Sequence, residues 1–206
     1  MTHPPWVQSE KSTNGRTENG EWGPGAAAPI APLLIRPIRP SDSNALQYAF
    51  EHEFSPHSRY LRFHSPLRRL PDRLVHYLTH VDGVDHVALV AVELGAGQLA
   101  SGVGVARFVR DPQRPDLAEL AVAVVDHAQG HGIGRSLIAA LAVAARERGI
   151  DAFTMEVLFS NRRVRDWLLR LGASGVGSVS GGAISFQLPL AALLINSANS
   201  ERSSAA

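Results

Sequence analysis

The 206-residue chain has no cysteine. That excludes a disulfide framework, a thiolate metal site, a catalytic thiol and an acyl-cysteine intermediate. Lysine is almost missing too, since Lys11 is the only one and every other basic side chain is arginine. No long apolar run is present: stretches such as Leu99 to Val109 are broken by glycine and too short to span a bilayer. The N-terminus has no basic segment leading an apolar core, so it does not read as a signal peptide, and a cytoplasmic location is expected. A net charge of +1 gives no reason to invoke nucleic acid or a membrane surface.

The apolar share of 45% and charged share of 19% are those of a globular protein, with length enough for one sizeable core. Residues 1–30 are rich in Ser, Thr, Asn, Gly and Pro without helical or strand period, and are expected to form a disordered leader. Residues 31–195 are expected to be the folded domain and 196–206 a flexible tail. The pattern predicts a strand over Leu33–Ile38, then a helix capped by Ser41 or Asp42 and running to Glu53. One further helical stretch covers Pro56–Leu61 and Pro71–Leu78. Val84–Leu94 and Leu99–Arg110 read as a hairpin about Gly95-Ala96-Gly97, followed by a strand over Leu117–Val125. A helix then carries Ile133, Leu137, Ile138, Leu141, Ala144 and Ala145 on one face, with Gly149 as its C′ residue. A strand over Phe153–Leu158, a helix over Asn161–Leu171 and a strand pair about Gly181-Gly182 complete the chain. This order predicts an α+β fold, one mixed sheet with helices on its faces.

Gln129-Gly130-His131-Gly132-Ile133-Gly134 joins an apolar strand to an amphipathic helix. The first N–H groups of a helix lack partners and its dipole adds positive charge there, so such a junction is an anion site. Glycines allow close backbone approach. A Walker loop is excluded, because Gly134-Arg135-Ser136 lacks the lysine; a dinucleotide fingerprint is excluded, because Arg135 stands at its third glycine.

The pattern that fits is Q-x-x-G-x-G, at Gln129, Gly132 and Gly134, after a strand with V-x-V at Val122 and Val124. Here the sequence resembles the GNAT N-acetyltransferase superfamily, from Leu33 to Leu190. The resemblance implies a mostly antiparallel sheet splayed between its fourth and fifth strands, with acetyl-CoA as co-substrate and no metal. It implies that the strand around Val122, Ala123 and Val124 takes the pantetheine arm. Gln129, Gly130, His131, Gly132, Ile133, Gly134 and Arg135 would wrap the pyrophosphate, and Asn161 would stand near the thioester. Arg135 and Asn161 also have plainer readings, as a solvated cation and as a helix N-cap.

An amine must lose a proton before it attacks a thioester, given an unperturbed lysine pKa of about 10.4. Glu119 is the candidate base, on the cofactor strand with Ala121 and Ala123 on its face leaving a groove. It matches the general base of the bacterial Pat-type protein lysine acetyltransferases; the alternative is an edge glutamate paired with an arginine such as Arg107. The tyrosine acid common in the superfamily falls at Leu168, so water is the expected proton source. Ile35 to Asp42, Ser58 to Phe63 and Asp85 to Ala91 are similar to the same subgroup. This favours a lysine of a protein as acceptor, a small amine or a non-catalytic acyl-CoA sensor being the alternatives. Monomer and homodimer both stay open. Arg59, Arg62, Arg68, Arg69 and Arg73 read either as an acceptor groove or as a solvated face. His76 and His80 lack the H-E-x-x-H glutamate, Tyr77 standing in its place.

Overall fold

The structure is a computed structural model that describes residues 32–94, 101–177 and 181–193. The expected leader, the tail and the turn at Gly95-Ala96-Gly97 lie outside the described residues. Seven strands form one sheet in the order β1-β2-β3-β4-β5-β7-β6, antiparallel except for β4 against β5. These are β1 Leu33–Pro37, β2 His86–Glu93, β3 Ser101–Arg110, β4 Leu117–Val124, β5 Ala152–Leu158, β6 Ser174–Gly175 and β7 Ala183–Pro189. The helices are α1 Ser43–His52, α2 Pro56–Phe63, α3 Asp72–Thr79, α4 Ile133–Arg146 and α5 Arg162–Arg170.

Two expectations need correction. The second helical stretch is two helices: His64 ends α2 in the left-handed region at φ 52°, and Pro66 and Pro71 follow before α3. Asp42 does not cap α1 with its side chain. It accepts instead from Arg36 Nη2 at 2.7 Å and Nη1 at 2.8 Å, and from Arg39 N at 2.7 Å. That bidentate pair fixes the turn out of β1 and holds the Asp42 carboxyl below the usual range, the Arg36 hydrogen bond being the main cause. The final strand pair is formed about Gly181-Gly182, with β7 beside β5 and the two-residue β6 at the edge.

The core lies between the sheet and α4. Leu137, Ile138 and Leu141 are fully buried against a sheet face that includes Phe108 and Phe153. Each such side chain contributes roughly 1.5–3 kcal/mol. Gly104 on β3 sets the approach, since a Cβ there would stand 3.2 Å from both Ile133 and Leu137. The start of α4 is thereby drawn onto the sheet beside Val124. Helices α1, α2 and α3 cover the opposite face, with Phe50, Leu70 and Leu78 forming a smaller cluster.

Candidate active site

Between β4 and β5 the ladder stops early. The pairs are Leu117 with Ala152, Ala118 with Phe153 and Glu119 with Thr154. Beyond Glu119 both strands continue without pairing to each other, so the expected opening between the fourth and fifth strands is present. Its β4 edge follows from the ladder on the other side. Val125 N donates to Val103 O at 3.0 Å. Alternation along an antiparallel pair then directs Ala123, Ala121 and Glu119 toward β3, and turns the N–H and C=O of Leu120, Val122 and Val124 into the gap. Ala123 therefore differs from its two neighbours: its backbone faces Val105, and its methyl lines a pocket on the sheet face.

A 3-10 turn over Asp126–Ala128 leads from β4 into the glycine loop. Gly130 and Gly132 have φ of 87° and 82°, conformations that cost other residues about 1–2 kcal/mol. Ser136 N is the first donor within α4, to Gly132 O at 3.0 Å. The N–H groups of Ile133, Gly134 and Arg135 have no acceptor among the described residues, which leaves an anion site at the helix mouth. Ile133 is buried and anchors the loop, while His131 and Arg135 are exposed. Arg135 makes no ion pair among the described residues. At Gly134 a Cβ would meet Trp167 at 3.6 Å, an ordinary contact, so packing within the protein does not demand glycine there.

Gln129 closes the loop onto the strand. Its Nε2 donates to Val124 O at 3.1 Å and to Asp126 Oδ1 at 3.2 Å. Its Oε1 accepts from Arg163 Nη1 at 3.0 Å. Arg163 and Trp167, both on α5, bear directly on the loop and were not singled out by sequence reasoning, which had only the neighbouring Asn161 as a signal. Asn161 is the N-cap of α5, its Oδ1 accepting from Val164 N at 3.3 Å. Leu168 is 1% exposed within the core, so no proton donor stands at that position.

Glu119, Ala121 and Ala123 alternate onto the face opposite α4. Glu119 is exposed there, beside an open groove of about 1400 Å3, solvent-open space included, that it lines with Asp111, Arg114, Thr154, Glu156 and Gln187. The adjoining pocket, about 470 Å3 including its mouth, has Ala121 and Ala123 as floor and Phe50, Phe63 and Leu78 among its walls. Arg59, Arg62 and Arg107 line it as well. The arginine group read from sequence therefore divides, since Arg68, Arg69 and Arg73 are exposed.

No arginine lies within 4.0 Å of Glu119 among the described residues, so the expected alternative of an Arg107 pair is not formed. Arg62, half-buried and stacked on Phe63 at 4.8 Å, is held beside the charge of Glu119 without contacting it. Arg107 is 5% exposed. Its Nη1 lies 3.2 Å from His86 Nε2, and since arginine only donates, that nitrogen is the acceptor of a neutral imidazole. Burial, then the like charge of Arg62, draws the Arg107 guanidinium down to about 10, with Tyr77 opposing. Burial and Arg107 likewise lower the His86 imidazole. His76 and His80 stack ring on ring at 3.8 Å instead of converging on a point. No group of three potential metal ligands occurs among the described residues. Nor is any helix among them long and apolar enough to cross a membrane.

Comparison with known proteins bears on this arrangement. The family model described as Acetyltransferase (GNAT) family matches residues 58–173, a span that contains Glu119, the glycine loop and Asn161. The chain belongs to this acetyltransferase family. Acetyl-CoA is the acyl donor of GNAT enzymes. The protein Acetyltransferase Pat of Mycolicibacterium smegmatis is 35% identical over 158 residues. That alignment covers 77% of this chain and 43% of the relative, so the chain spans less than half the length of the curated relative it matches. The GNAT domain of S. lividans PAT superposes with a TM-score of 0.70 at 32% identity, over 76% of this chain and 90% of that domain. A cAMP-binding acyltransferase from Mycobacterium smegmatis matches at 31% identity and a TM-score of 0.51, covering 85% of this chain and 46% of that one.

Proposed function

We propose that this GNAT acetyltransferase transfers the acetyl group of acetyl-CoA directly to the ε-amino group of a lysine in a protein, with Glu119 as general base. The observation that carries the reading is the place of Glu119. It occupies the last paired position before β4 and β5 part, with its carboxylate at an open groove.

In this reading the N–H groups from Gly130 to Arg135 hold the diphosphate, and the Arg135 guanidinium adds charge-assisted bonds to it. Val122 and Val124 bond the amides of the arm, Val124 O having a second lone pair beside the bond from Gln129. Asn161, at the far side of the gap, stands near the thioester. A lysine ammonium enters along the groove, where the exposed carboxylates of Glu119 and Glu156 favour a cation. Glu119 takes its proton, directly or through a water. The amine nitrogen bonds to the acyl carbon as the carbon–sulfur bond breaks, and the thiolate leaves and is protonated by water, because Leu168 offers no acid. A groove open to solvent suits a polypeptide segment better than an enclosed small amine. The resemblance to Pat-type protein lysine acetyltransferases, with similarity to a relative named Acetyltransferase Pat, favours this reading.

The test is incubation of a cell lysate with the protein and labelled acetyl-CoA, followed by mass spectrometry. Labelled lysines in proteins are expected. Label found only in small-molecule amines would contradict the lysine reading.

A further inference from the structure

Arg62 and Arg107 approach one another in the pocket floored by Ala121 and Ala123, and no carboxylate lies within 4.0 Å of either among the described residues. Arg107, at 5% exposure, has neutral His86 as its bonding partner. Arg59 lines the same pocket; it gives Nη1 to Arg68 O at 2.8 Å and leaves Nε buried without a partner. Glu119 is the one carboxylate whose charge is felt at Arg62, and it belongs to the neighbouring groove. Two to three cations are thus held against apolar walls with a single anion near them. A buried charge without compensation is costly, and a planar guanidinium fork is matched by a carboxylate.

The division between pocket and groove says which substrate would carry that carboxylate. Glu119 must meet the amine, and Glu119 lines the groove. Ala121 and Ala123 of the same strand floor the enclosed pocket, and no residue of the groove lines it, so it is left for the group at the end of the pantetheine arm. We propose that the pocket receives an acyl chain longer than acetyl that ends in a carboxylate, a succinyl or glutaryl group, with Arg62 and Arg107 as its anion site. This rests on the acyl-transfer reading above and extends it to a dicarboxylic donor class. The bonds made and broken at the thioester are the same.

Calorimetry on the full chain with succinyl-CoA and butyryl-CoA tests it, because the two chains match in length and differ in the carboxylate. Succinyl-CoA is expected to bind about tenfold or more tightly than butyryl-CoA, the scale of charge-assisted hydrogen bonds. Arg107→Met and Arg62→Met should each shrink that ratio toward one. Equal or weaker binding of succinyl-CoA to the unaltered protein overturns the proposal, without reliance on any variant. So does a preference that survives both substitutions, or a carboxylate requirement found only on the acceptor. Acetyl transfer to a lysine peptide without succinyl preference would sink this inference alone. Absence of binding by every CoA ester would sink the acyltransferase reading with it.

Discussion

The side-chain amide of Gln129 donates to the carbonyl of Val124 at 3.1 Å, so the residue that opens the glycine loop also closes the exposed edge of β4. Both halves of the proposed cofactor site therefore meet in one side chain. Arg163 reaches it from α5 with a bond of 3.0 Å to Gln129 Oε1.

Arg163→Ala removes that tether. The expected result is a several-fold rise in KM for acetyl-CoA with kcat nearly unchanged, since the loop loses order while the base is untouched. Steady-state kinetics with varied acetyl-CoA checks this. An unaltered KM would mean that the bond has no part in holding the loop.

Gly132→Ala and Gly134→Ala separate backbone strain from ligand space. At Gly132 the φ of 82° makes alanine cost about 1–2 kcal/mol, so thermal stability and acetyl-CoA affinity should both fall. At Gly134 an added methyl meets Trp167 at 3.6 Å, a contact the fold accepts. There the melting temperature should hold while affinity for acetyl-CoA drops. Calorimetry and thermal melts on both variants read the difference.

Glu119→Gln should lower kcat by about 100-fold or more, the range of general-base contributions, with little change in acetyl-CoA affinity. Residual activity should rise with pH as free amine becomes available. A variant that keeps wild-type turnover at neutral pH would remove Glu119 from the mechanism.

The Arg36 and Asp42 pair gives a pH-dependent part of the stability. Asp42 is held below its unfolded value of about 3.9, chiefly by the Arg36 hydrogen bond. Its contribution is therefore present above the unfolded value and lost as pH falls through the folded one. Asp42→Asn should destabilise by about 1–2 kcal/mol at pH 7, and by progressively less as acid protonates the folded carboxyl. Urea unfolding at pH 7 and in acid measures it.

Features written in local patterns were legible in the sequence. The loop from Gln129 to Gly134, the alternation that puts Glu119 with Ala121 and Ala123, and the apolar stripe of α4 each depend on neighbours a few residues apart. The splay between β4 and β5 came from family resemblance, since no local signal says that a ladder stops at Glu119. Long-range meetings stayed hidden. Arg62 on α2 and Arg107 on β3 come together only because α2 packs across the sheet, and Arg163 finds Gln129 only through the fold. Asp42 carries a good capping side chain, yet Arg36, six residues earlier on β1, binds both its oxygens. Side-chain pairing there overrides capping propensity.

The most direct test of the account is an NMR titration of 15N-labelled protein with CoA. The amides of Leu120, Val122, Val124 and Ile133 to Arg135 should shift together and gain protection from exchange, as the gap and the helix mouth fill. Saturating CoA that leaves those amides unchanged would contradict the account.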